Sequence, residues 1–235
     1  MNKRLAGAIS AAVIALSLVV LVLWQFLFSM TVNYYIVSVC VMLLSMLPFF
    51  MSFEIKAIST REITLVATLI ALAVVSRAAF YLIPQFKPIA AVVVVSAVCL
   101  GAQRGYIIGV FSAFISNFIF GQGYHTPFQM VALGLVGLIA GMVFKAVKHN
   151  KWSLSIVGFF LAFAVYGVVV DLSTIFMMYG NNITLSGVLS VYAAGVPFSA
   201  VFGGATAIFL FLFGEPFIKK IDRINTKFGL TKTMV

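Results

Sequence analysis

Apolar runs of about 20 residues recur along almost the whole of this chain, and at 1.5 Å per residue each run matches a hydrocarbon core of ~30 Å. That repetition limits what the chain can fold into. Of its 235 residues, 63% are hydrophobic, 9% are charged and 24 are phenylalanine. Even a large water-soluble core leaves a polar surface to cover, and this chain has too few polar side chains to cover one. In lipid the backbone must satisfy its own hydrogen bonds, which a helix does within one segment. The alternating segments of a membrane barrel are not found in the sequence. The expectation is an all-α integral membrane protein.

Eight spans fit the runs, at roughly residues 7–28, 34–53, 63–83, 88–101, 105–120, 127–145, 153–178 and 188–213. The fourth is short and β-branched from Val92 to Val95, which predicts a tilted or partly irregular segment. The first follows Lys3 and Arg4. Its apolar region is too long for a signal peptide and lacks a small-x-small cleavage site, so it reads as a retained anchor.

Alternating eight spans from a cytoplasmic N-terminus tests the orientation. Lys3, Arg4, Lys56, Arg61, Arg104, Lys145, Lys148, Lys151 and the basic residues from Lys219 to Lys232 then fall inside. Only Lys87 falls outside, and Arg77 lies within a span. The asymmetry predicts that both termini are cytoplasmic. The formal net charge of +10 is thereby a topology signal, and no nucleic-acid partner is expected. Cys40 and Cys99 lie in apolar runs without metal-ligand spacing and read as small buried hydrophobes.

The orientation gathers the unusual residues on one side. The outer loops of the last six spans are Pro84–Pro88, Gly121–Gln129 and Tyr179–Thr184, all polar and aromatic. They bring Gln85, Lys87, Gln122, Tyr124, His125, Gln129, Tyr179 and Asn181, with Tyr81 just before the first loop, to the roof of one candidate binding site. Gln129 begins a helix, where it either contacts a ligand or caps. Two charges lie inside spans: Arg77, roughly 10 Å below the outer end of its helix, and Asp171, roughly 12 Å below its own. Such groups cost about 2.5–3.5 kcal/mol each to insert, so they pair or face a wet cavity. Their matched depth suggests an Arg77–Asp171 pair, which either ties two helices or lines the cavity. Asn117, one turn before Gly121, makes either an interhelical hydrogen bond or a ligand contact.

Two small-residue stripes complete the pattern. Gly101, Gly105, Gly109 and Ala113 let two helix backbones approach closely. Ala67, Ala71 and Ala78 serve either internal packing or docking of another membrane protein. The sequence has no nucleotide-binding loop, paired carboxylates or nucleophile elbow. An enzyme is disfavoured, and no cofactor or metal site is expected.

The segment from Phe86-Lys87-Pro88 through Leu100-Gly101, the glycine stripe, Asn117 to Gly123 and Thr126 to Met130 together resemble the substrate-binding S component of energy-coupling factor (ECF) vitamin transporters. The resemblance covers roughly residues 60–215, with F-G-Q-G-x-x-T-P-x-Q-M as its most specific part. It implies a six-helix core that captures a vitamin or precursor at its outer face. The implied partners are a transmembrane coupling subunit and two ATPases, with Ala67 and Ala71 docking on the coupling subunit. The loaded component is then expected to topple in the membrane and release its substrate inside. The outer loop is most similar to those of members associated with cobalamin or its precursors, although Tyr124-His125 stands where many relatives carry Pro-Trp. The domain reading is therefore two additional N-terminal transmembrane helices over 1–58, the core over 59–218 and a basic cytoplasmic tail over 219–235. A stand-alone secondary transporter is the alternative; it would need polar residues along the full depth of the bundle, and here they cluster in the outer half. A purely structural membrane protein would leave the polar-aromatic loops unexplained.

Overall fold

The computed structural model describes residues 60–180 and 182–228, so the first two expected spans and Asn181 lie outside the described residues. Six helical rods follow one another: α1 (Thr60–Ala79), α2 (Ile89–Leu100), α3 (Ala102–Phe120), α4 (Thr126–Ala146), α5 (Lys151–Tyr179) and α6 (Leu185–Lys227). No strand occurs among the described residues. Four of the rods, α1, α4, α5 and α6, are long and apolar enough to cross a membrane.

The span expected to be irregular is a regular helix. Its 12 residues rise only about 18 Å, well short of a hydrocarbon core, yet nine of them are buried. A helix apolar on every side belongs inside a bundle, and burial here outweighs the weak helix propensity of Val92 to Val95. The chain leaves α2 at Gly101, whose φ of 89° lies in the left-handed region that favours glycine, and turns at once into α3.

The Gly101–Ala113 stripe packs internally, as its spacing suggests. A Cβ on Gly109 would sit 2.2 Å from the Leu133 carbonyl oxygen, and one on Gly137 would sit 2.2 Å from that of Gly105. Further along, Gly141 meets the backbone of Ala102. These contacts place α3 antiparallel to α4 with their backbones touching. Around the crossing Tyr106, Phe128, Met130 and Leu133 are fully buried.

The pair α5 and α6 interlocks in the same manner. Gly158 faces Leu210, Gly203 faces Phe159, Gly167 faces Ser199 and Gly187 faces Tyr179. Both rods contain a π-helical turn, at Leu161–Tyr166 and Leu210–Gly214. Such a turn inserts one residue and re-aims the side chains beyond it. Pro197 lies inside α6, where it removes the hydrogen bond to the carbonyl of Ala193.

Residues 219–228, read from the sequence as part of a basic tail, continue α6 as an amphipathic helix with Ile218 and Ile221 buried. The end of the bundle remote from the candidate loops is tied by polar contacts. Arg104 pairs with Glu62, and Asn150 caps α5 by accepting from the backbone N–H groups of Trp152 and Ser153 at 3.0 and 2.9 Å. Glu215 accepts from the Lys151 N–H at 2.9 Å. Cys99 is a free, half-buried thiol.

Candidate functional site

At the other end, where α1 stops and the Gly121–His125 turn joins α3 to α4, a cavity of about 410 Å³ opens. Arg77 on α1, Tyr81, Pro84, Gln85 and Lys87 on the following loop, and Ile89 at the head of α2 form one side. Phe120, His125, Gln129 and Leu133 form a second, and Tyr166 and Phe202 close the floor from α5 and α6. Tyr166 is the last residue of the π-helical turn of α5, and its ring lies 4.4 Å from that of Phe202.

Arg77 is held from behind. Its Nη1 donates to Ser116 Oγ and to Asn117 Oδ1, the latter at 2.8 Å. The guanidinium carbon lies 4.3 Å from the centre of the Phe120 ring, an attraction of ~0.5–2 kcal/mol depending on desolvation. Asn117 in turn donates to Thr126 Oγ1 at 3.1 Å and Gln129 Oε1 at 2.9 Å. Thr126 also accepts from the Gly123 N–H at 3.1 Å. One relay of hydrogen bonds therefore runs from α1 through α3 to α4 and pins the turn between them.

The loop after α1 folds back on itself through Lys87. Its Nζ donates to the carbonyls of Phe80 and, at 2.9 Å, Tyr81, while facing the Phe120 ring at 5.1 Å. Partial burial, reinforced by the nearby Arg77 charge, holds Lys87 below the usual lysine value. Gln85 has φ of 55°, the single positive value at a non-glycine residue among the described residues. A left-handed conformation there costs roughly 1–2 kcal/mol. His125 donates to the Gly121 carbonyl, which favours its charged form. Burial, as the larger influence, and Arg77 outweigh that bond and lower its pKa.

Of the residues singled out from sequence, Arg77, Tyr81, Gln85, Lys87, His125 and Gln129 meet at the cavity. The other described ones do not line it. Asn117 is completely buried behind Arg77 and makes interhelical bonds. Gln122 turns back to donate to the Phe114 carbonyl at 3.0 Å. Tyr124 is exposed and packs edge-on against His125, with ring centres 5.4 Å apart. Tyr179 packs on Gly187 where α5 meets α6. The Arg77–Asp171 pair suggested by matched depth is not formed: Asp171 faces α6, with its carboxylate where a side chain on Gly195 would stand. α4 begins at Thr126, one residue before the expected span, so Thr126 to Gln129 form its first turn.

The walls that sequence reasoning missed are Pro84, Ile89, Phe120, Leu133, Tyr166 and Phe202. Two of them carried a signal: Pro84 opens the Pro84–Pro88 loop, and Phe120 immediately precedes Gly121. The stripe on α1 also resolves: Ala67 and Ala71 are exposed, together with Thr64, Thr68 and Val75. That face of α1 packs on nothing described.

Comparison with known proteins yields one family. The model for the ECF transporter, substrate-specific component, matches residues 61–224. No curated protein and no solved structure matches the chain. The matched segment holds the whole cavity and every described helix but the ends of α1 and α6; the chain belongs to the family of substrate-specific components of ECF transporters.

Proposed function

We propose that this chain captures a small vitamin or vitamin precursor in the cavity between the α1–α2 loop and the α3–α4 turn, and delivers it to partner subunits for ATP-driven import. The observation that carries this reading is a cluster of polar side chains around one cavity: Arg77, Lys87, His125 and Gln129 converge at one end of the bundle. Both termini are then cytoplasmic, the cavity faces outward across a prokaryotic plasma membrane, and the two N-terminal helices are additional to the binding core.

The partners are a transmembrane coupling subunit and two ATPases. The exposed Ala67–Ala71 face of α1 is the docking surface, because small side chains let a second helix approach closely without any apolar driving force from water. Substituting Ala67 and Ala71 with Trp tests this: transport is lost while substrate binding by the isolated chain is unchanged. An equal loss of binding would refute the docking assignment.

The likeness of the outer loop to cobalamin-associated members favours a corrinoid. The cavity favours something smaller. Ligand sites run from roughly 300 to 1,000 Å³, and about 410 Å³ stands at the small end, which suits a compact molecule better than a corrin macrocycle and its nucleotide loop. The substrate class is therefore a compact vitamin-like molecule. Competition of a labelled ligand by a corrinoid at equal affinity would overturn that choice.

A further inference from the structure

We propose that the substrate carries a compact anionic group, a carboxylate or a phosphate, received by Arg77, Lys87 and the side-chain amide of Gln129. This rests on the binding-subunit reading above. A guanidinium can only donate, so the atom of Asn117 that lies 2.8 Å from Arg77 Nη1 must be the carbonyl oxygen. The amide nitrogen of Asn117 then faces Thr126 and Gln129. Gln129 must answer it with Oε1, which leaves its Nε2 hydrogens without a partner among the described residues. The one donor-only member sets the polarity of the whole relay.

The two members of this relay that line the cavity, Arg77 and Gln129, therefore both present hydrogens to it. The two cations add to that pattern. Arg77 and Lys87 share the Phe120 ring at 4.3 and 5.1 Å, and each repels the other's charge. No Asp or Glu among the described residues lines the cavity, since Asp171 is turned to Gly195. Donors surrounding two like charges call for a ligand that accepts hydrogen bonds and carries negative charge. Tyr166 and Phe202 offer an aromatic floor to its apolar body.

The test uses the full chain in lipid nanodiscs. Molecules released from it by denaturation are identified by mass spectrometry, and each is rebound as the free acid and as its fully methylated, neutral ester. In parallel, Gln129→Glu keeps an oxygen for Asn117 to bond and replaces the cavity-facing donor with an acceptor. The expected outcome is an anion that rebinds roughly 10- to 100-fold more tightly than its ester, the scale of one or two charge-assisted bonds. Gln129→Glu lowers that affinity by a similar factor without lowering the melting temperature. Mass identifies the head group as carboxylate or phosphate, and either supports the proposal. A neutral or cationic ligand, an ester that binds equally, or full affinity in Gln129→Glu at unchanged stability overturns it and leaves the binding-subunit reading standing. Release of no molecule, together with no saturable uptake by cells expressing the complete transporter, overturns that reading as well.

Discussion

Gly109→Ala is the substitution whose cost the structure specifies most closely. The new Cβ would lie 2.2 Å from the Leu133 oxygen, 2.5 Å from its carbonyl carbon and 2.8 Å from the Gly134 nitrogen. All three are backbone atoms, so no side-chain rotation relieves the clash. Ordinary contact begins near 3.4 Å, so α3 and α4 must part by about 1 Å along a crossing packed at native density. A gap of that size forfeits a quarter to a half of each dispersion contact it opens, and overpacking of this kind costs about 1–3 kcal/mol. Ala gains back roughly 0.5–1 kcal/mol over Gly in a helix interior, for a net loss of up to about 2.5 kcal/mol. At 2–4 °C per kcal/mol for a chain of this size, the melting temperature in detergent falls by up to roughly 10 °C. Gly204→Ala is the matched control, because nothing lies within 4 Å of its Cβ position; it leaves the melting temperature unchanged or raises it. Leu133 also lines the cavity, so Gly109→Ala weakens ligand binding along with stability. Equal melting temperatures for Gly109→Ala and Gly204→Ala would refute the backbone-contact account of this helix pair.

Thr126→Val removes the acceptor of two bonds, from Asn117 and from the Gly123 N–H. Unmade buried bonds cost about 1–3 kcal/mol, so the melting temperature falls, whereas Thr126→Ser retains most of it. His125 supplies a pH dependence. Its folded pKa lies below the unfolded value near 6.5, so the folded state favours the neutral ring. Its contribution is fully present above that value and is lost as pH falls through the folded pKa. Between pH 7.5 and 5 the wild type should therefore lose more stability than His125→Gln, and parallel curves would refute the assignment. Arg77→Leu strands Asn117 Oδ1 and Ser116 Oγ, lowering stability and abolishing ligand binding together.

The rods were legible because lipid leaves a chain few alternatives, and the polar-aromatic loops because polar residues are conspicuous between apolar runs. The rotation of each helix about its axis was not. Depth follows from counting residues, which set Arg77 and Asp171 level; facing does not, and Asp171 turned to Gly195 instead. Val92 to Val95 suggested irregularity because β-branched residues are poor helix formers in isolation, but packing on every side decided otherwise. The extension of α6 was hidden because Lys219 and Lys220 interrupt the apolar pattern that Ile218 and Ile221 maintain. Leu133, Tyr166 and Phe202 were invisible as cavity walls for a simple reason: an apolar side chain facing a ligand reads the same as one facing lipid or core.

On the function proposed above, this chain binds substrate unaided and transports it only with partners. The direct measurement uses the radiolabelled molecule released from the purified protein and proteoliposomes carrying the chain alone or with the coupling subunit and both ATPases. The expected result is saturable binding without accumulation for the chain alone, and ATP-dependent accumulation for the complete assembly. Accumulation by the chain alone at the rate of the assembly would contradict it.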